Sequence, residues 1–131
     1  MGFVAVLVAA LGAFIFALIW YRINMVAWME AAGVEKGDDG TPKTAPGISA
    51  HIISAVGLIL VAGMMRHMFA QAGIDDVTKG FLSGLGVGAF IASPWIIINY
   101  AYAMRPGKLC FIDGVFAIGG CTIIGVILTL F

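Results

Sequence analysis

Four stretches of this chain, Phe3–Tyr21, Ile48–Met68, Gly80–Tyr102 and Leu109–Phe131, are almost uninterruptedly apolar. Each is close to the roughly 20 residues that a helix needs to cross a hydrocarbon core about 30 Å thick. In lipid no water is available to bond stray backbone groups, so such runs must be helical. The balance of residue types leaves no soluble alternative. Of 131 residues, 62% are hydrophobic and 11% charged, whereas a soluble domain is nearer half apolar and a quarter charged. A chain this short has too little interior to hide the surplus. The expected architecture is an all-α membrane protein, a single transmembrane domain of four transmembrane helices in a compact bundle. The first run lacks a basic leading segment, and Trp20-Tyr21-Arg22 follows it where a cleavage site would need small residues. It reads as a retained helix and not a signal peptide.

The connections are short, apart from the polar loop Gly33–Gly47, "GVEKGDDGTPKTAPG", rich in Gly, Pro and charge and therefore solvated. Between Arg22 and Ala32 the chain reads "RINMVAWMEAA", either an extension of the first helix or a segment along the interface. Four spans put the first and third loops on one side. That side holds Arg22, Lys36, Lys43, Arg105 and Lys108, five of the seven Lys and Arg residues; Arg66 and Lys79 fall on the other. The positive-inside rule then assigns the first and third loops to the cytoplasm and both termini to the extracytoplasmic side. A multi-pass protein of the bacterial inner membrane is the expected setting.

Helices in lipid associate by close packing, which small residues permit. Three runs carry them at four-residue spacing: Ala5, Ala9, Ala13 and Ala17; Gly80, Gly84, Gly88 and Ala92; Ala117, Cys121 and Gly125. Each set makes one narrow stripe along its helix. Three stripes exceed what a single helix pair requires, so one is expected to meet a second copy or another membrane protein. Pro94 cannot donate to the carbonyl of Phe90 and is expected to kink the third span. Cys110 and Cys121 lie eleven residues apart, about 16 Å along one helix, beyond disulfide reach.

Polar residues gather toward the cytoplasmic side. Arg22, Asn24, His51, Asn99, Arg105 and Asp113 form the candidate polar cluster; Trp20, Tyr21, Trp28, Trp95, Tyr100 and Tyr102 read as interfacial aromatics, at the depth amphipathic rings prefer. Asp113 is the one acid close to a membrane segment. It either caps a helix starting at Gly114 or pairs with Arg22, Arg105 or His51, because a desolvated carboxylate needs a partner.

The segment "KGFLSGLGVGAFIASPWIIINYAYAMRPGKLCFIDGVFAIGGCTIIGVIL" resembles the C-terminal half of DUF1761, a bacterial membrane family of unknown function. The likeness rests on a Gly-rich span, an aromatic and polar helix end, the connection Arg105-Pro106-Gly107-Lys108-Leu109-Cys110-Phe111-Ile112-Asp113 and a final Gly-containing span. "ALIWYRINMVAWMEAAG" is similar to the Trp-Tyr…Trp end of that family's first helix, through Trp20, Tyr21 and Trp28. The chain departs at Arg22-Ile23-Asn24, where the family often has proline, and at Phe116-Ala117, where it often has Tyr-His. The resemblance implies architecture and no activity.

With seven acids, seven bases and no basic patch, nothing invites nucleic acid. No CxxC, haem-attachment motif, metal spacing or nucleophile–base pair is visible, so no cofactor, metal or catalysis is expected. His51 and His67 are sixteen residues apart, about 24 Å on one helix, too far to share a haem. The four-helix enzymes of glutathione and eicosanoid chemistry are comparable in size, but "RINMVAWME" shares only Arg22, Asn24 and Glu30 with their polar helix. The leading expectation is a non-catalytic membrane protein, a homo-oligomer or an accessory subunit on a larger complex. The alternative is a small-solute or proton-coupled transporter or channel built on the cytoplasmic-side cluster, favoured by the Gly/Pro-interrupted span. Small four-helix multidrug exporters are of similar size, but they carry a Glu in the first span, and Phe3–Tyr21 has no acid.

Overall fold

A computed structural model describes residues 2–44 and 46–131; of the polar loop, Ala45 lies outside the described residues. The chain is all helical among those residues: α1 (Gly2–Ile23), α2 (Met25–Ala32), α3 (Ile48–Ala72), α4 (Val77–Val87), α5 (Ser93–Tyr102) and α6 (Gly107–Leu128). A π-helical turn, Gly88–Ala92, fuses α4 and α5 into one rod. Four helices are therefore long and apolar enough to cross a membrane: α1, α3, the α4–α5 rod and α6.

Local chemistry sets the ends. Gly33 and Gly73 stop α2 and α3 in the left-handed region, at φ 74° and 67°, where a side chain would be strained and glycine is not. Helix α3 thus runs on to Ala72, past the expected end at Met68. The third span starts earlier than expected, at Val77, because the Asp76 carboxylate accepts the Lys79 N–H at 2.8 Å, satisfying a donor that a helix start leaves orphaned. Hydrogen bonds from Lys79 also hold the Asp75 and Asp76 carboxyls below the usual carboxylate range. Of residues 22–32, Arg22 and Ile23 complete α1 and Met25–Ala32 form a separate short helix, so the segment is not one continuous extension of the first helix. The helix breaks at Asn24, whose side chain turns back to the Trp20 carbonyl at 2.9 Å, and restarts as α2.

Pro94 is carried without ending the rod. Its missing N–H and its ring both bear on the carbonyl of Phe90. The turn before it widens so that the Ser93 N–H bonds to the Gly88 carbonyl, five residues back. The expected kink is met here as a π turn, a common device at such breaks.

Helix α1 lies between α3 and α6, and the α4–α5 rod lies along α6. Ala5, Ala9 and Ala13 are wholly buried, with Ala62 and Ile124 against them. A Cβ added at Gly80 would stand 2.5 Å from the Gly125 carbonyl, and one at Gly88 would stand 2.5 Å from the Ile118 Cα. Those glycines let α4 and the π turn approach the backbone of α6. Phe3, Ile53, Leu60, Phe90 and Phe111 point outward and are all at least two-thirds exposed. In water that surface would be untenable; in lipid it is the expected outer face.

Candidate functional site

Helix α6 begins at Gly107, behind Pro106, whose extended backbone precedes the first turn. Proline fixes φ and has no N–H to orphan, so it suits a helix start. Asp113 therefore lies six residues inside α6 and caps nothing. Nor does it pair with Arg22, Arg105 or His51: none of the ion pairs among the described residues includes it. Its partners are two tyrosines. The Tyr21 hydroxyl of α1 donates to one carboxylate oxygen and the Tyr100 hydroxyl of α5 to the other, each at 2.5 Å.

Two further bonds secure the same turn of α6. Trp20 Nε1–H donates to the Ile112 carbonyl at 3.0 Å, and the buried Ser93 hydroxyl donates to the Gly114 carbonyl at 2.9 Å. Three consecutive residues of α6 thus receive α1 on one side and the α4–α5 rod on the other. Asp113 is the only acid of the chain inside a candidate span. A charged group there is costly unless it is paired or hydrogen-bonded; each Asp113 oxygen receives one hydroxyl donor, and no cation is paired with it among the described residues.

Arg105 makes its hydrogen bond elsewhere, on α2. Its guanidinium donates to the Ala32 carbonyl at 2.9 Å, at the end of α2, where carbonyls lack helical donors and the helix dipole favours a cation. Lys108 lies 3.4 Å from Glu30, an exposed pair worth little energetically. Both contacts nevertheless bring the first and third connections to the same end of the molecule. His51 Nδ1 lies 3.4 Å from the Gly47 carbonyl, and its ring packs against Phe14 with centroids 6.4 Å apart.

A cavity of about 1000 Å³ opens beside Asp113. Arg22, Trp28, Thr44 and His51 stand at its loop end; Phe14, Leu18, Gly57 and Leu58 line it further into the spans; Tyr21, Tyr100, Asp113 and Phe116 form one side. Of the candidate polar residues, Arg22, His51 and Asp113 thus share one cavity. Asn24 bonds only within its own helix end, Arg105 sits on α2, and Asn99 is exposed. Among the aromatics, Tyr21, Tyr100 and Trp28 line the cavity and Trp20 stacks on Phe16. Trp95 and Tyr102 are 65% and 89% exposed and face away from it. Sequence reasoning missed Ser93 altogether and filed both tyrosines as membrane anchors. The usable signal was that a buried tyrosine hydroxyl needs a partner and that only one acid lies at its depth.

A chain with four apolar rods, an outward apolar face and one polar site at the loop end is a multi-pass helical membrane protein. It belongs to the DUF1761 family, described as a protein of unknown function, which it matches over residues 4–129. No curated protein and no solved structure matches it.

Proposed function

We propose that this protein is a small-solute transporter of the bacterial inner membrane, with the Asp113 cavity as its solute site. The first and third loops face the cytoplasm and both termini lie outside, from the five-to-two bias of Lys and Arg. The observation that carries the proposal is the cavity itself: it reaches from the polar loop into the spans and is walled by the only acid they contain. Ligand sites are concave, mostly apolar and fitted with a few polar groups, and an ionisable residue within a span is a functional-site candidate, substrate and ion pathways among the uses.

An oligomer or accessory subunit was expected from the surplus of small-residue stripes. What weakens that reading is where the stripes fall. Ala5, Ala9 and Ala13 are buried within the chain, and Gly80, Gly84 and Gly88 each face α6 near Gly125, Cys121 and Ala117. Contacts within the chain occupy these six positions, which leaves fewer small residues for a second copy.

A carrier must expose its site to both faces in turn. Gly57 lines the cavity about 14 Å along α3, nine residues from Ile48, and a Cβ there meets nothing within 4 Å. With Cys110 and Cys121 replaced by alanine, Gly57→Cys is expected to react with a membrane-impermeant thiol reagent in both right-side-out and inside-out vesicles. Reaction from one face only, or from neither, contradicts transport.

A further inference from the structure

We infer that the cavity takes an anionic amphiphile, a single apolar chain or ring system bearing a carboxylate or phosphate, with the head at Arg22 and the body running inward along α1 and α3. The inference rests on the reading of this cavity as the solute site and names the solute class. Three features carry it.

The first is the gradient of the walls. Arg22, His51 and Thr44 stand at the loop end, and Phe14, Leu18 and Leu58 stand further in. From His51 to Leu58 the cavity follows α3 for about 10 Å, so one elongated ligand meets both environments. A wholly polar solute would leave the inner wall against hydrocarbon-like space, and a wholly apolar one would strip water from Arg22.

The second is the one charged side chain at the mouth that has no hydrogen-bond partner among the described residues. Each Asp113 oxygen already accepts a tyrosine O–H, whereas Arg22 is exposed and enters none of the ion pairs among the described residues. A guanidinium presents a planar fork of N–H donors that fits carboxylate or phosphate oxygens two at a time. Charge complementarity at the mouth therefore calls for an anion.

The third is position. Trp28 lines the same mouth, and tryptophan marks the depth at which amphiphile headgroups sit. A solute drawn from the leaflet keeps its head at this level as it enters.

The test uses the full chain in phosphatidylcholine nanodiscs, with radiolabelled decanoate as the probe and empty discs as the blank. Saturable binding above the blank is expected. Arg22→Gln, checked for an unchanged melting temperature, is expected to weaken it about tenfold, the scale of one charge-assisted hydrogen bond. Leu58→Trp, which fills the inner part, is expected to abolish it. Decyl phosphate displaces decanoate, and inorganic phosphate does not. Saturation by decyltrimethylammonium in place of decanoate would overturn the inference by making Asp113 the selector. Unchanged binding in Arg22→Gln, or equal displacement by inorganic phosphate, would overturn it as well. Binding is read at equilibrium and needs no transport. Decanoate binding with one-sided Gly57→Cys labelling removes the carrier and keeps the ligand class; the reverse result removes the ligand class alone.

Discussion

Replacing Gly84 with leucine should cost about 3 kcal/mol or more of folding stability, the upper part of the range for overpacked cores. Even a lone Cβ at Gly84 would reach to 3.0 Å from the Thr122 Cα and run into the Cys121 carbonyl. Those atoms are helix backbone and cannot turn aside as a flexible side-chain tip would. The two helices must separate, and the contacts on either side of Gly84, at Gly80 and Gly88, separate with them. Gly86 supplies the control. It sits two residues away on the same helix, yet a Cβ there meets nothing within 4 Å. Gly86→Leu should stay within about 0.5 kcal/mol of the parent, as exposed substitutions do. Unfolding free energies measured by steric trapping in bicelles would separate the two. Equal effects at the two positions would contradict the close approach of α4 to α6.

The Asp113 turn gives the second large effect. Tyr21→Phe and Tyr100→Phe together should destabilise the protein by about 3 kcal/mol, since a hydrogen bond to a charged group contributes roughly 1.5–3 kcal/mol. The loss has a specific cause: a half-buried carboxylate at the cavity wall with both hydroxyl donors gone. Adding Asp113→Asn to that double variant should recover part of the loss, because an unpaired amide costs less than an unpaired charge. In the parent, Asp113→Asn should be mild, as an amide can accept from one tyrosine and donate to the other. The cycle is then strongly non-additive, as expected for groups in contact. A double phenylalanine variant as stable as the parent would show that the tyrosines do not hold the acid.

The contrast between these sites shows what the sequence made legible. Four helices followed from run length alone, because lipid leaves the backbone no other solution. The glycine positions on the third span were equally plain, since four-residue spacing defines a face. Which neighbour that face meets was not, because periodicity carries no information about partners. The π turn escaped for a related reason: Pro94 announces a missing bond, but whether the helix kinks, ends or widens is settled by its packing. Asp113 was singled out on charge and depth, yet its partners were sought among cations. Each oxygen instead receives a tyrosine hydroxyl, and the Arg105 guanidinium donates to the open carbonyl at Ala32. The cavity was invisible in the sequence because α1, α2, α3, α5, α6 and the polar loop, distant along the chain, share its wall.

The four-span arrangement requires the loop at Gly33–Gly47 and the turn at Arg105–Lys108 to share one face of the bilayer, with the Asp75–Asp76 turn on the other. Single cysteines at Lys43, Lys108 and Asp75, in a background lacking Cys110 and Cys121, can be labelled with an impermeant thiol reagent in vesicles of known orientation. Lys43→Cys and Lys108→Cys should react from the same side and Asp75→Cys from the opposite side. Labelling of Lys43→Cys and Lys108→Cys from opposite sides would contradict the four-span arrangement and the site built on it.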